Sequence, residues 1–115
     1  MASINDLTKI VTSFRDARDW KKFHNPKDMS LSLVLEATEV MEHFQWKTGE
    51  ELDQYVRDHK EDIADELADV FYWVLLMSRD FEIDISEALI KKIEKNDQKY
   101  PVEKAKGRST KYDKL

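Results

Sequence analysis

The sequence predicts an all-α protein, a bundle of four to five helices completed by oligomerisation. Its 115 residues include only two glycines and two prolines, and 37% are charged residues, most of which are good helix formers. Apolar residues recur at helical spacing along most of the chain. A chain of this length can bury about two-thirds of its unfolded surface. We therefore expect a single domain spanning residues 1–115.

The first half of the chain predicts two helices. The first runs over about Asn5–Phe23 and ends where His24–Pro26 interrupts the helical pattern. The second begins near residue 28 or 30 and runs to Lys47, and Gly49 fits as its C-terminal stop. Both segments carry an apolar stripe that can face a common core.

The middle of the chain predicts a short helical segment over residues 50–58 and then the most apolar helix, Glu61–Phe81. Within that helix, Ile63–Met77 is apolar nearly all round, and such a helix must be surrounded by other helices. In so small a protein this requires a partner subunit. We therefore predict a homo-oligomer, a dimer or a tetramer formed as a dimer of dimers.

The last strong helix is predicted to begin near Asp84 or Ser86, with Glu87 placed for a capping box with Asp84. It ends near Lys99, before Tyr100 and a proline. Residues from about 100 to 115 are expected to form an extended basic tail. Residues 91–115 carry 9 Lys/Arg and 4 Asp/Glu, so this basic segment could meet a small polyphosphate or could be a solvated terminus.

Composition excludes several classes of function. The absence of cysteine excludes disulfides, thiol nucleophiles and cysteine-ligated zinc. No signal peptide or membrane span is visible, so we expect a cytoplasmic protein without a membrane partner. Residues 1–90 carry 10 Lys/Arg and 20 Asp/Glu. That acidic balance argues against nucleic acid as a partner, because a duplex binder needs a broad basic face.

Two carboxylate pairs stand out because they flank apolar helix faces. We call these four residues the acidic tetrad: Glu36, Glu39, Glu66 and Asp69. Each pair has i, i+3 spacing and so lies on one helical face. Burying four carboxylates without a counter-charge is very costly, so a divalent cation held between two helices is the economical explanation. The alternative is a set of surface carboxylates that pair with lysines on neighbouring helices.

The kind of metal follows from the ligands. Oxygen-only ligation favours Mg²⁺, with Mn²⁺ as a substitute. Di-iron bundles use Glu-x-x-His pairs, whereas the residues three positions before the three histidines here are Lys21, Val40 and Val56. The sequence also has no Walker-A loop, so any phosphates must be held by metal and side chains.

The acidic tetrad and its surroundings resemble the all-α nucleotide pyrophosphohydrolases, the MazG-like and dCTP pyrophosphatase superfamily. The signature of that family is Glu-x-x-Glu, a spacer and Glu-x-x-Asp, and here 26 residues separate the two halves. Residues 18–46 and 91–112 resemble the dCTP pyrophosphatase branch in particular. The resemblance extends over nearly the whole chain from Phe14 onward.

The resemblance implies the fold of the all-α NTP pyrophosphatases and Mg²⁺-dependent cleavage of a nucleoside triphosphate between its α- and β-phosphates. The acidic tetrad matches the metal ligands of the family. The positions that enclose the base in the dCTP branch match Trp20, His24 and Trp46. The segment that meets phosphates and sugar includes Lys95, Asn96 and Tyr100. Further candidates for phosphate contact are Lys92, Arg108 and Lys111.

The sequence leaves the roles of several residues open. Glu39 is our first choice for the carboxylate that orients water or accepts its proton. On periodicity, Trp46 could belong to a core, and His24 could cap a helix end. The role of Trp73 is open, and His43 could be a neighbour of the metal ligands or a surface residue.

Three functions compete. The leading one is hydrolysis of deoxynucleoside triphosphates, preferring dCTP, for sanitation or balance of the nucleotide pool. The second keeps this chemistry with a broader set of nucleotides. The third is a helical oligomer that acts as an interaction module with a purely structural metal.

Overall fold

The computed structural model describes all 115 residues and contains helices but no strand. The helices are α1 Ile4–Ala17, α2 Pro26–Glu42, α3 Gly49–Asp58, α4 Lys60–Asp80, α5 Ile85–Lys99 and α6 Val102–Ala105. Two short 3-10 helices cover Lys21–Phe23 and Tyr112–Lys114. The predicted all-α fold is confirmed. The chain forms two compact units, residues 1–82 and 83–115.

Helix α4 is the centre of the first unit and packs against α2, α1 and α3. The fully buried apolar side chains are Met29 of α2 and Leu75 and Leu76 of α4. This packing accounts for the apolar character of α4 near its C-terminal end. Nearer its N-terminal end, Leu67 and Phe71 are exposed in the single chain.

Helix α1 ends well before the predicted Phe23, and that boundary was wrong. Asp19 adopts a left-handed conformation with φ of 53°. The backbone N–H of Trp20 then donates to the carbonyl of Arg15 at 3.2 Å, which is the hydrogen bond of a Schellman motif. The Trp20 ring packs edge-on against Phe14, with centroids 5.6 Å apart, completing the apolar contact typical of that motif.

Helix α2 begins earlier and ends earlier than the sequence predicted. Asn25 is its N-cap and accepts a hydrogen bond from the backbone N–H of Asp28 at 2.9 Å, while Pro26 occupies the first helical position. The helix ends at Glu42, so the predicted end at 47 was wrong. Gly49 does not stop α2 but opens α3, where its φ is 56°.

The later boundaries agree better with expectation. Helices α3 and α4 lie within one residue of the predicted 50–58 and 61–81 segments. Asp84 caps α5 by accepting from the backbone N–H of Glu87 at 3.1 Å. After Pro101, residues 102–105 form α6 and residues 112–114 form a final 3-10 helix, so the expectation of an extended tail was wrong over these two segments. None of the helices is both long and apolar enough to cross a bilayer.

Candidate metal centre and adjoining cavity

The acidic tetrad converges on one point between α2 and α4. Helix α2 supplies Glu36 and Glu39, and α4 supplies Glu66 and Asp69. One carboxylate oxygen from each of the four lies within 4.8 Å of those of the other three. The i, i+3 spacing places each pair on one face of its helix, and the packing of α2 on α4 brings the two faces together.

The tetrad holds more negative charge than the protein itself satisfies. Glu36 Oε2 and Glu66 Oε2 are both shielded from solvent without a hydrogen-bond partner. None of the ion pairs in the chain joins a lysine or arginine to the tetrad. Buried carboxylate oxygens without hydrogen-bond partners are costly and rare in folded proteins. These two oxygens are therefore suited to coordinate a cation.

The pKa values of two members reflect this crowding. Burial raises the pKa of Glu36, and hydrogen bonding to Glu39 and the charge of Asp69 act in the same direction. Hydrogen bonding to Glu39, burial and the neighbouring negative charges raise the pKa of Glu66 to about 7. A hard divalent cation would relieve both effects, and four carboxylates form the donor set that Mg²⁺ or Mn²⁺ accepts.

A cavity of about 460 Å³ adjoins the tetrad. Its lining residues are Ile10, Val11, Phe14, Trp20, His24, Glu36, Asp69, Tyr72 and Trp73. The cavity thus joins one carboxylate from each acidic pair to a wall of aromatic rings. Its size and apolar lining with few polar groups are typical of a small-molecule site.

The aromatic wall is a connected set of edge-to-face contacts. Phe14 meets Trp20 at 5.6 Å and Tyr72 at 6.1 Å between ring centroids. Trp73 meets Tyr72 at 5.3 Å and His24 at 5.0 Å. Interlocked rings of this kind hold their orientation, so they offer fixed apolar surfaces to a flat ligand.

The cavity includes two of the three predicted base-binding residues. Trp20 and His24 line it, whereas Trp46 follows the end of α2 and is 84% exposed. Trp46 therefore lies neither in the core nor in the cavity of the single chain. Trp73, whose role the sequence left open, is part of the wall. His43 is not part of the cluster that the tetrad forms, and its Nδ1 lies 2.6 Å from the hydroxyl of Tyr55.

Sequence reasoning missed several lining residues. Trp73, four positions after Asp69, was recognised with its role left open, whereas Tyr72, three positions after Asp69 on the same face, was missed. That spacing from a candidate ligand could have identified Tyr72. On α1, Ile10 and Phe14 have i, i+4 spacing, but nothing in the sequence distinguishes a cavity wall from a core stripe.

A buried ion pair lies behind the aromatic wall. Arg15 is 1% exposed, and its Nη1 and Nη2 donate to the two carboxylate oxygens of Asp80 at 2.7 and 3.0 Å. Burial alone would raise the pKa of Asp80, but the hydrogen bonds and charge of Arg15 outweigh it and hold that pKa below its ordinary range. Burial and the charge of Arg15 lower the pKa of His24.

The remaining predicted site residues belong to the second unit, which begins at residue 83. Helix α5 carries Lys92, Lys95 and Asn96, and Tyr100 follows its last turn. The i, i+3, i+4 spacing places the three helical residues on one face of α5. Arg108 and Lys111 lie between α6 and the final 3-10 helix and are exposed, as are the two lysines.

Fold and motif together define the class of protein: an all-α bundle that carries paired Glu-x-x-Glu and Glu-x-x-Asp motifs on packed helices. Residues 31–115 match the model of the MazG-like family. The chain belongs to that family, and its relatives place it in the dCTP pyrophosphatase branch.

The relatives and the solved structure to which the chain is similar are all named pyrophosphatases. The chain is 34% identical to dCTP pyrophosphatase 1 of Mus musculus and 32% identical to that of Homo sapiens, over 98% of this chain and 68% of each relative. Among solved structures, a pyrophosphatase from Archaeoglobus fulgidus superposes with a TM-score of 0.82 at 34% identity. That match covers 88% of this chain and 94% of the archaeal one.

Proposed function

We propose that the chain is a Mg²⁺-dependent nucleoside triphosphate pyrophosphohydrolase. It would convert a nucleoside or deoxynucleoside triphosphate and water to the monophosphate and pyrophosphate, with dCTP preferred. The observation that carries the proposal is the convergence of the acidic tetrad beside a cavity walled by aromatic rings. The similarity to proteins named dCTP pyrophosphatase 1 supports the choice of substrate.

The members of the acidic tetrad have different roles in the proposed hydrolysis. A bound Mg²⁺ supplies charge neutralisation and polarisation of a phosphoryl oxygen. The acidic tetrad would hold the cation, and Glu36 and Glu66 each offer it a buried oxygen that has no other partner. Glu39 is an exposed glutamate of the tetrad, so we assign it the task of orienting the attacking water and accepting its proton.

The substrate would contact both the aromatic wall of the cavity and the acidic tetrad. Trp20, His24 and Trp73 enclose the base, and the triphosphate extends toward the tetrad. On the family resemblance alone, we propose phosphate- and sugar-binding roles for six residues of the second unit: Lys92, Lys95, Asn96, Tyr100, Arg108 and Lys111. The family match spans residues 31–115, which supports our proposal that both units act as a single domain. The predicted cytoplasmic location stays a prediction.

We also propose a homo-oligomer, a dimer or a dimer of dimers. On α2, Leu31, Val34 and Leu35 share one face at i, i+3, i+4 spacing, and all three are more than half exposed. Leu67 and Phe71 of α4 are exposed in the same unit. Apolar faces of this kind on small domains mark contacts with other chains. A base-binding role for Trp46 would require such a contact, because this residue lies outside the cavity of its own chain.

A nucleotide panel tests the proposal. The protein is incubated with each canonical triphosphate, with Mg²⁺ or with EDTA, and release of pyrophosphate and phosphate is measured. We expect pyrophosphate from dCTP only when Mg²⁺ is present. Glu66→Gln should abolish release, whereas Glu61→Gln, an exposed change in the first turn of the same helix, should leave it intact. A wild type that is inert toward every nucleotide would favour an interaction module instead.

A further inference from the structure

His24 forms a wall between two cavities. It lines the 460 Å³ cavity beside the tetrad and also a second cavity of about 260 Å³, which is lined in addition by Lys21 and Asp80. Trp73 holds the His24 ring from one side, with centroids 5.0 Å apart and the planes inclined by 62°. The ring is thus fixed between an apolar wall and a charged pair.

Arg15 determines which nitrogen of His24 carries a proton. Its Nη1 lies 3.4 Å from His24 Nδ1 in hydrogen-bonding geometry. A guanidinium has donors and no acceptor, so Nδ1 must accept this bond and must be unprotonated. The neutral imidazole then carries its proton on Nε2. Because the two ring nitrogens point in widely different directions, the Nε2–H faces away from Arg15.

Arg15 itself has little freedom to move. Its side chain is 1% exposed, and two of its nitrogens donate to Asp80 at 2.7 and 3.0 Å. A bidentate pair of this kind fixes the plane of the guanidinium as well as its position. Asp80 is the last residue of α4, and Arg15 lies on α1, which packs against α4. The ion pair therefore also links these two helices.

We propose that Arg15, held by Asp80, is a positioning residue that locks His24 as the neutral Nε2–H tautomer. The His24 ring then offers one donor, Nε2–H, and no free acceptor. The matching group on a ligand is a carbonyl oxygen or an unprotonated ring nitrogen, both of which cytosine offers along one edge. The identity of that ligand rests on the proposed function, whereas the tautomer of His24 does not.

The surrounding charges bear on whether His24 stays neutral. The charged groups that face it or line its cavities are Arg15 of α1, Lys21 of the first 3-10 helix, Glu36 of α2, and Asp69 and Asp80 of α4. Asp80 would favour the imidazolium, but its two oxygens already accept from Arg15. Burial and the nearby guanidinium charge are the largest effects, and both disfavour the cation.

Nitrogen NMR of the imidazole tests the tautomer without any nucleotide. Long-range ¹H–¹⁵N spectra of the intact protein are recorded from pH 5 to 8, and the His24 signals are assigned by their loss in His24→Gln. We expect the Nε2–H pattern at pH 7 and a midpoint below 6.5. In Arg15→Lys, which keeps a charge for Asp80, the midpoint should rise and the tautomers should mix.

The matched control is Arg79→Lys, which changes an exposed arginine next to Asp80 and should leave the His24 titration unchanged. A wild-type His24 that is protonated on Nδ1 at pH 7 would overturn the proposal. So would an Arg15→Lys variant that melts cooperatively and shows the wild-type tautomer and midpoint.

Steady-state kinetics tests whether the tautomer that Arg15 imposes on His24 affects the binding of dCTP. Arg15→Lys should raise the KM for dCTP about twofold with little change in kcat, because mixing of the two tautomers roughly halves the fraction of protein that is competent to bind. In a His24→Gln background the same substitution should add no further increase. An equal increase in both backgrounds would show that Arg15 acts only through folding and would contradict the proposal. If no nucleotide is turned over, the proposed function fails while the NMR result on the tautomer still stands.

Discussion

The pKa of Glu66 couples metal binding to pH. A metal ligand must be deprotonated, and a pKa of about 7 means that the metal-free protein holds this carboxyl half protonated at neutral pH. Any divalent cation must displace that proton. The deprotonated fraction falls from about 0.9 at pH 8 to about 0.1 at pH 6, so the apparent affinity for Mg²⁺ should fall about tenfold over this interval. Glu36, whose pKa is also raised, acts in the same direction.

Titration calorimetry measures this linkage. Mn²⁺ or Mg²⁺ is added to the metal-free protein at pH 6, 7 and 8, each in two buffers with different ionisation enthalpies. We expect about half a proton from Glu66 to be released per ion at pH 7 and nearly a full proton at pH 6. Glu66→Gln should remove this release, whereas the exposed control Glu61→Gln should retain it. Equal affinities at pH 6 and 8 with no proton release would refute the assignment of Glu66.

Three further predictions concern stability. In EDTA, the melting temperature should fall as pH rises from about 5 to 8. The raised pKa of Glu66 means that the native state binds a proton more tightly than the unfolded state, and this stabilisation is lost as that proton dissociates. A melting temperature that does not change with pH, or a pH profile that is the same in Glu66→Gln, would contradict this. Asp80→Ala leaves the buried Arg15 unpaired and should cost about 3–5 kcal/mol in urea unfolding, and a loss below about 1 kcal/mol would disprove the importance of the pair. Glu82 has a φ of 56°, so Glu82→Gly should stabilise the protein by about 1 kcal/mol in the same assay, whereas Arg79→Gly within α4 should destabilise it.

The sequence could predict the acidic tetrad because every requirement is local. Spacing of three residues places each pair on one face, and the apolar residues beside the acids show that this face turns inward. Two helices with the same pattern must then meet. Helices α3, α4 and α5 were predicted nearly to the residue for the same reason, since their periodicity and caps lie within the segments themselves.

What the sequence could not predict depends on contacts between distant residues or on an unusual cap. Arg15 and Asp80 are 65 positions apart, and neither has a local pattern that indicates its partner. Helix α1 ends at a left-handed aspartate where a glycine would have been the recognisable signal. That early end places Trp20 on the cavity wall, as the resemblance predicted, although the helix boundary itself was missed.

Trp46 shows a different limit. Its position near the end of an amphipathic helix suggests burial, but α2 ends at Glu42 and leaves the ring in solvent. Helical periodicity cannot reveal this, because the turns that follow α2 no longer keep the phase of the helix. Any contact of this ring with another chain is equally invisible to a single sequence.

The most direct test is a crystal structure of the protein grown with Mn²⁺, with anomalous differences measured at the manganese edge. We predict a peak between α2 and α4 at about 2 Å from carboxylate oxygens of Glu36, Glu39, Glu66 and Asp69. Manganese bound elsewhere, with these four side chains turned away from one another, would contradict the account.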